Sequence, residues 1–278
     1  MIPVLLLFNL TVCIRQLSAQ ELFVFSEPAS NMPAHSLSAK LTGRFALPSS
    51  GRLAYQRYSP EIMAGLNKHW MVHATAFVSD FYSAGLRFEA LRLYAKYRFL
   101  SKDEVHRHFR MAAFAEAAWS QNPFVYEDIN LFGDNTGAEA GLIATQLINR
   151  LAISGTVGYL SVFPRQSRLD ASKASRDALN YTASAGYLVL PKVYSSFNQT
   201  NLNLYFEMTG MRGLGDRGYM LDFAPAIQVI FRSNFKVNAG YKFQVAGNMH
   251  RISERSWVLA FERTFLGALK RRKSTPSN

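Results

Sequence analysis

A single cysteine, Cys13, occurs in 278 residues. It lies in an apolar leader, so a mature chain without that leader has no disulfide, no thiolate nucleophile and no cysteine-based metal site. Also missing is any apolar run near the ~18 residues that a membrane helix needs. The longest such stretch runs from Ile2 to about Ile14 and has the length of a signal-peptide core, although no Lys or Arg precedes it. Cleavage is expected after Ala19, which makes residues 1–19 a signal peptide. The Leu10-Thr11-Val12-Cys13 run has a large Val12 where a lipoprotein signal wants a small residue.

Catalytic signatures are lacking as well. No G-x-S-x-G elbow and no H-E-x-x-H pair occurs. Gly213, Gly215 and Gly218 match the dinucleotide spacing, but they join two predicted antiparallel strands and open no helix, so the phosphate cradle is missing. His250 and Ser253 are the only trace of an outer-membrane hydrolase pair, and a spacing of three in a loop sets no geometry. Glu127, Asp128 and Asp134 share one loop; a solvated loop is the expectation there, with weak calcium binding the alternative. The expectation is therefore a non-enzyme with no cofactor and no metal site.

Aromatic residues are abundant, with 21 Phe and 13 Tyr, while the mean hydropathy is −0.04. Alternating apolar and polar positions reconcile the two, because the average then cancels. The alternation is plain in FKVNAGYKFQ: Phe235, Val237, Ala239, Tyr241 and Phe243 point one way, Lys236, Asn238, Lys242 and Gln244 the other. It recurs at Leu37 to Phe45, Leu91 to Arg98, Tyr181 to Tyr187 and Asn201 to Met208.

Twelve strands are predicted, over 36–47, 55–67, 70–80, 86–99, 108–120, 137–148, 151–162, 178–190, 200–210, 219–231, 235–246 and 255–265. Each is long for a soluble strand and suited to a tilted membrane strand. Short turns (67–69, 149–150, 232–234) alternate with longer links (121–135, 163–176, 211–218, 247–254), as in outer-membrane barrels. The 82–84 and 191–198 connections fit that alternation less well. Trp70, Trp119 and Trp257 fall near strand ends, where interfacial girdles form.

The predicted fold class is thus all-β: an antiparallel transmembrane β-barrel of about twelve strands in the bacterial outer membrane, with both termini in the periplasm. Residues 35–265 form the barrel. Residues 20–34 hold Pro28 and Pro33, which bar a long strand, and are expected to fold against or into the periplasmic mouth as a small plug. Residues 266–278 form a basic periplasmic tail. The expected surroundings are outer-membrane lipid and lipopolysaccharide. The final strand, alternating from Trp257 to Phe265, resembles the terminal signal read by the barrel-assembly machinery, although here a tail follows it.

The net charge of +12 raises the question of nucleic acid. The basic residues are divided among predicted lumen, loops and tail, so no nucleic-acid face forms. Predicted inward positions hold Lys40, Arg44, Arg92, Lys96, Arg98, Arg110, Lys236 and Lys242, with Glu61, Glu116, Glu139, Glu207, Asp222 and Glu262. Turning one Arg or Lys to lipid at mid-membrane costs about 2–4 kcal/mol, so these charges pin the register. They line either a small channel or a lumen filled by ion pairs, since twelve strands fall between filled and open barrels. Arg92, Lys96 and Arg98 share one strand face and are expected to reach a passing carboxylate or phosphate unless Glu116 or Glu139 neutralises them.

Residues 20–44 (QELFVFSEPASNMPAHSLSAKLTGR) are similar to the start of a group of bacterial outer-membrane barrels assigned to transport. Stretches 92–110, 142–159 and 222–249 are similar to the same group, which faintly resembles barrels associated with the phenol meta-pathway. The resemblance implies a barrel and transport. It carries no catalytic motif. The expected function is a passive channel for small polar or anionic solutes; the alternatives are a filled barrel acting through its outer loops and, more remotely, an outer-membrane hydrolase.

Overall fold

The computed structural model describes residues 23–48, 54–163, 175–193, 198–215 and 217–270. Residues 1–22, with the expected signal peptide, and residues 271–278 of the tail lie outside that description, as does most of the predicted 163–176 loop. Twelve strands follow one another: β1 Ser36–Leu47, β2 Tyr55–Gly65, β3 Trp70–Ser79, β4 Arg87–Glu104, β5 Arg107–Ser120, β6 Gly137–Ile148, β7 Leu151–Val162, β8 Asp177–Leu190, β9 Asn201–Gly213, β10 Tyr219–Phe231, β11 Phe235–Gly247 and β12 Arg255–Phe265. Each pairs antiparallel with its sequence neighbours, and β1 pairs with β12 to close the barrel. Closure removes the open edges that lipid would leave unsatisfied. No described helix is long and apolar enough to cross a membrane.

Period-two alternation explains which way each strand faces. On β1, Ser36, Ser38 and Ala46 are buried while Ala39 and Leu41 are exposed; on β12, Ser256, Val258, Ala260 and Glu262 are buried while Trp257, Leu259 and Phe261 are exposed. The outer surface is therefore an apolar belt, including Ile62, Leu93, Ile153, Phe206 and Ile227. Aromatic pairs rim it: Trp70 on Tyr97 at 4.8 Å, Phe88 on Trp119 at 6.3 Å and Tyr241 on Trp257 at 4.6 Å between ring centroids. Such a surface suits a bilayer, with amphipathic rings at its interfaces.

At the end that holds the chain termini the β2–β3, β4–β5, β6–β7 and β10–β11 connections are short, while the β8–β9 connection, 191–200, is longer than the 214–218 link at the opposite end. Asn149 takes φ of 52°, a conformation Asn tolerates, in the β6–β7 turn. Strands β4 and β5 run further than alternation predicted. Beyond a register shift between Arg98 and Leu100 they continue as a hairpin turning at Val105 and His106. Two prolines sit inside strands. Pro60 pairs in register with β1 while the β2–β3 register is interrupted between Tyr58 and Glu61, and Pro225 pairs with β9 while β10–β11 is interrupted between Phe223 and Ala226. A residue without an N–H can serve one ladder and not both.

Candidate functional site: a charged and occupied lumen

The interior is shaped by chain that belongs to no strand. Residues 23–35 cross the lumen before β1 begins, and polar side chains of the wall meet their backbone. Glu207 on β9 accepts the N–H of Val24 at 2.7 Å and of Phe25 at 3.0 Å, and the Ser26 hydroxyl at 2.7 Å. Thr145 accepts the Ala29 N–H at 2.8 Å. Lys96 is fully buried; its Nζ reaches Glu27 at 3.0 Å and donates to the carbonyls of Pro28 and Ser30 at 2.7 and 3.0 Å. Arg110 donates to the Ser30 hydroxyl, and Asn31 to the His69 carbonyl. Apolar contacts complete the seat. Phe23 packs on Tyr205 with centroids 5.5 Å apart, and Phe25 lies over Gly240, where a Cβ would stand 2.7 Å from its ring. A proline-broken segment offers unpaired backbone groups, and in a dry interior each needs such a partner.

The remaining predicted inward charges are mostly matched. In the barrel register Lys40 stands opposite Glu61 on one side and Glu262 on the other. Glu61 gathers Lys40 at 3.9 Å, His73 at 3.1 Å and Arg92 at 3.6 Å. Arg92 also reaches Glu116 at 3.5 Å. Glu116 faces Glu139 across β5 and β6, and Glu139 accepts from Asn180 at 2.9 Å. Lys236 pairs with Glu262 at 3.1 Å, and Lys242 with Asp222 at 3.1 Å. Arg44 has a different environment: its guanidinium lies 5.8 Å from the centroid of the Phe81 ring.

Of the two alternatives for β4, a free positive face or neutralisation by Glu116 or Glu139, the contacts of Arg92 follow the second. Arg92 is held between two carboxylates, and Lys96 is caged by the N-terminal segment. Arg98 sits at the barrel rim, donating to the Lys68 carbonyl, near Arg110 and its partner Asp103. Sharing a strand face did not make them one site, because each meets a different neighbour in the closed barrel.

The far end is covered by two loops. Residues 121–136 turn inward, and Phe124, Ile129 and Leu131 pack with Leu160, Val162, Met211 and Met249 in an apolar cluster. Asp128 and Asp134, expected to be solvated or to bind calcium weakly, instead hold arginines, and Glu127 accepts the His250 N–H at 2.8 Å. Asp134 and Glu89 flank Arg57, Glu89 at 2.9 Å. Asp128 meets Arg251 at 3.2 Å, and Arg251 also binds Asp222 at 2.6 Å. Burial pushes the Asp128 carboxyl up to about 6, against the pull of Arg251. Burial also favours the neutral form of Asp134, but Arg57 outweighs it and holds that carboxyl below its usual range. No cluster of metal-ligating side chains occurs among the described residues.

Arg57, Glu89 and Arg251 were absent from the predicted site. Arg57 had a signal, since it shares the inward face of β2 with Glu61; Arg251 had none, because loop residues follow no period. Ser253 donates to the carbonyls of Leu47 and Arg255, while the His250 ring packs on Tyr126 at 5.3 Å. The remote Ser–His pair is therefore not assembled.

No protein-family model matches the chain, and no curated protein matches it in sequence. Solved structures do match its shape. It superposes on the KdgM porin with a TM-score of 0.51 and 10% identity, over 82% of this chain and 99% of that one. It superposes on an outer membrane channel from Pseudomonas putida F1 with a TM-score of 0.54 and 12% identity, over 87% of this chain and all of the other. At such identities the likeness is one of fold: this chain folds as the barrels of outer-membrane channels do.

Proposed function

We propose that the protein is a passive outer-membrane channel for small polar or anionic solutes, narrowed by residues 23–34 acting as a plug. The observation that carries the reading is the way this segment is held. It is bound through side chains of Glu207, Thr145 and Lys96 rather than through strand ladders. It can therefore leave without breaking the wall. The longer loops are taken as external and both termini as periplasmic, following the alternation of link lengths. In that orientation the final strand is the element offered to the barrel-assembly machinery, and lipid and lipopolysaccharide contact the apolar belt. The likeness to phenol-pathway barrels rests on sequence stretches alone, and no solute is assigned from it.

The test is deletion of residues 20–34 with conductance read in planar bilayers. Conductance should rise while the barrel keeps its heat-modifiable mobility in gels; unchanged conductance would count against a plug. A second reading, a filled barrel acting through its external loops, is favoured by the inward packing of residues 121–136. A deletion variant that stays silent would support that second reading.

A further inference from the structure

We propose that Arg44 is the group in this lumen that contacts a small carboxylate-bearing solute; this rests on the channel reading and names its chemistry. Lys40, Arg57, Arg92, Lys96, Lys236, Lys242 and Arg251 each have a carboxylate within 4 Å. Arg44 has none among the described residues. The two carboxylates whose charge reaches it already hold other arginines, Asp134 holding Arg57 and Asp128 holding Arg251. The register makes matters worse, since Arg44 stands directly opposite Arg57 on β2, a like-charge pair that disfavours the empty state.

The guanidinium therefore keeps its fork of donors unspent in a half-buried position, where an anion gains more than it would in water. Its nearest aromatic, Phe81, lies at the outer limit of a useful cation–π contact and leaves the donor edge uncommitted. A planar carboxylate matches that fork with two parallel hydrogen bonds, which a halide cannot make. Thr42 and Ser59, paired in register one inward step away, add hydroxyls on the same wall. A crevice at the end that holds the chain termini, between residues 27–33 and strands β2, β10, β11 and β12, is lined by Asn31, Met63, Ile230, Lys236, Glu262 and Thr264; Arg44 lies outside it, toward the other end of β1. The plug is seated on Lys96, Glu207 and Gly240 and makes no hydrogen bond to Arg44 among the described residues, so its seat leaves that guanidinium uncovered.

The experiment has two arms on the full-length barrel. In detergent, line broadening of carbon-13 acetate is titrated against wild type, Arg44→Gln and Arg44→Lys, each first checked for heat-modifiable mobility. Saturable broadening in wild type, lost in Arg44→Gln and weakened several-fold in Arg44→Lys, supports the site. Equal broadening in all three, or none in wild type, overturns it. Should Arg44→Gln fail to fold, wild type against Arg44→Lys decides by the same comparison. In bilayers, the acetate-over-potassium permeability ratio should fall several-fold in Arg44→Gln. A conducting variant with unchanged selectivity removes Arg44 and leaves the channel reading standing, whereas a silent wild type removes the channel reading and leaves Arg44 to the acetate titration.

Discussion

Replacing Lys96 by methionine is expected to release the N-terminal segment while sparing the barrel wall. The ammonium is fully buried and engages Glu27 and the carbonyls of Pro28 and Ser30 within 3.0 Å. Removing one partner of a buried pair costs about 3–5 kcal/mol. Glu27 keeps 28% of its side-chain exposure, so water recovers part of that, and about 3 kcal/mol is a fair figure. Each 1.4 kcal/mol is a factor of ten, so the ratio of released to seated segment should rise about a hundredfold. Methionine is straight and fits the inward face of β4, which leaves the strand ladders intact. The assay is single-channel recording in planar bilayers, with heat-modifiable mobility as the control for folding. A variant that folds yet shows wild-type open probability would refute the reasoning, since a segment indifferent to its main cation is not held as described.

Gly240→Val should act through shape instead of charge: a Cβ there stands 2.7 Å from the Phe25 ring, so the segment is pushed out and the conductance rises, as bilayer recording would read. The loop over the far mouth should respond to pH. The Asp128 carboxyl is at about 6 when packed and near 3.8 when free, so protonation favours the packed form. Between pH 7 and pH 5 the packed state should gain about tenfold, lengthening closed dwell times on acidification, and Asp128→Asn should abolish that dependence. A protease tag within 163–176 should be cleaved on intact cells and one after residue 273 should not; the reverse pattern would invert the proposed orientation.

Much of this molecule was legible as a one-dimensional pattern. A strand's faces alternate with a period of two whatever its neighbours do, so Lys236 and Lys242 against Val237 and Tyr241 already separate lumen from lipid. Strand count, closure and the side on which charges lie followed from that period, from the penalty for turning a charge to lipid, and from the need of every strand for two partners. The ends of β4 and β5 did not follow, because the added turns of that hairpin lie beyond the Arg98–Leu100 register shift, which no local signal announced.

That residues 20–34 would enter the barrel mouth was expected from Pro28 and Pro33, but which side chains hold the lumen's contents was decided only in three dimensions. Residues 23–34 and 121–136 have no period, and their partners are far along the chain: Val24 meets Glu207 across 183 positions, and Arg251 meets Asp128 across 123. Pairing of this kind depends on barrel circumference, on strand tilt and on which loops turn inward. Lys96 and Arg44 look alike in sequence, each a cation on the inward face of its strand. One is caged by the N-terminal segment and the other has no carboxylate within 4 Å among the described residues, because a cation's partner comes from neighbouring strands, loops or the N-terminal segment and not from its own strand.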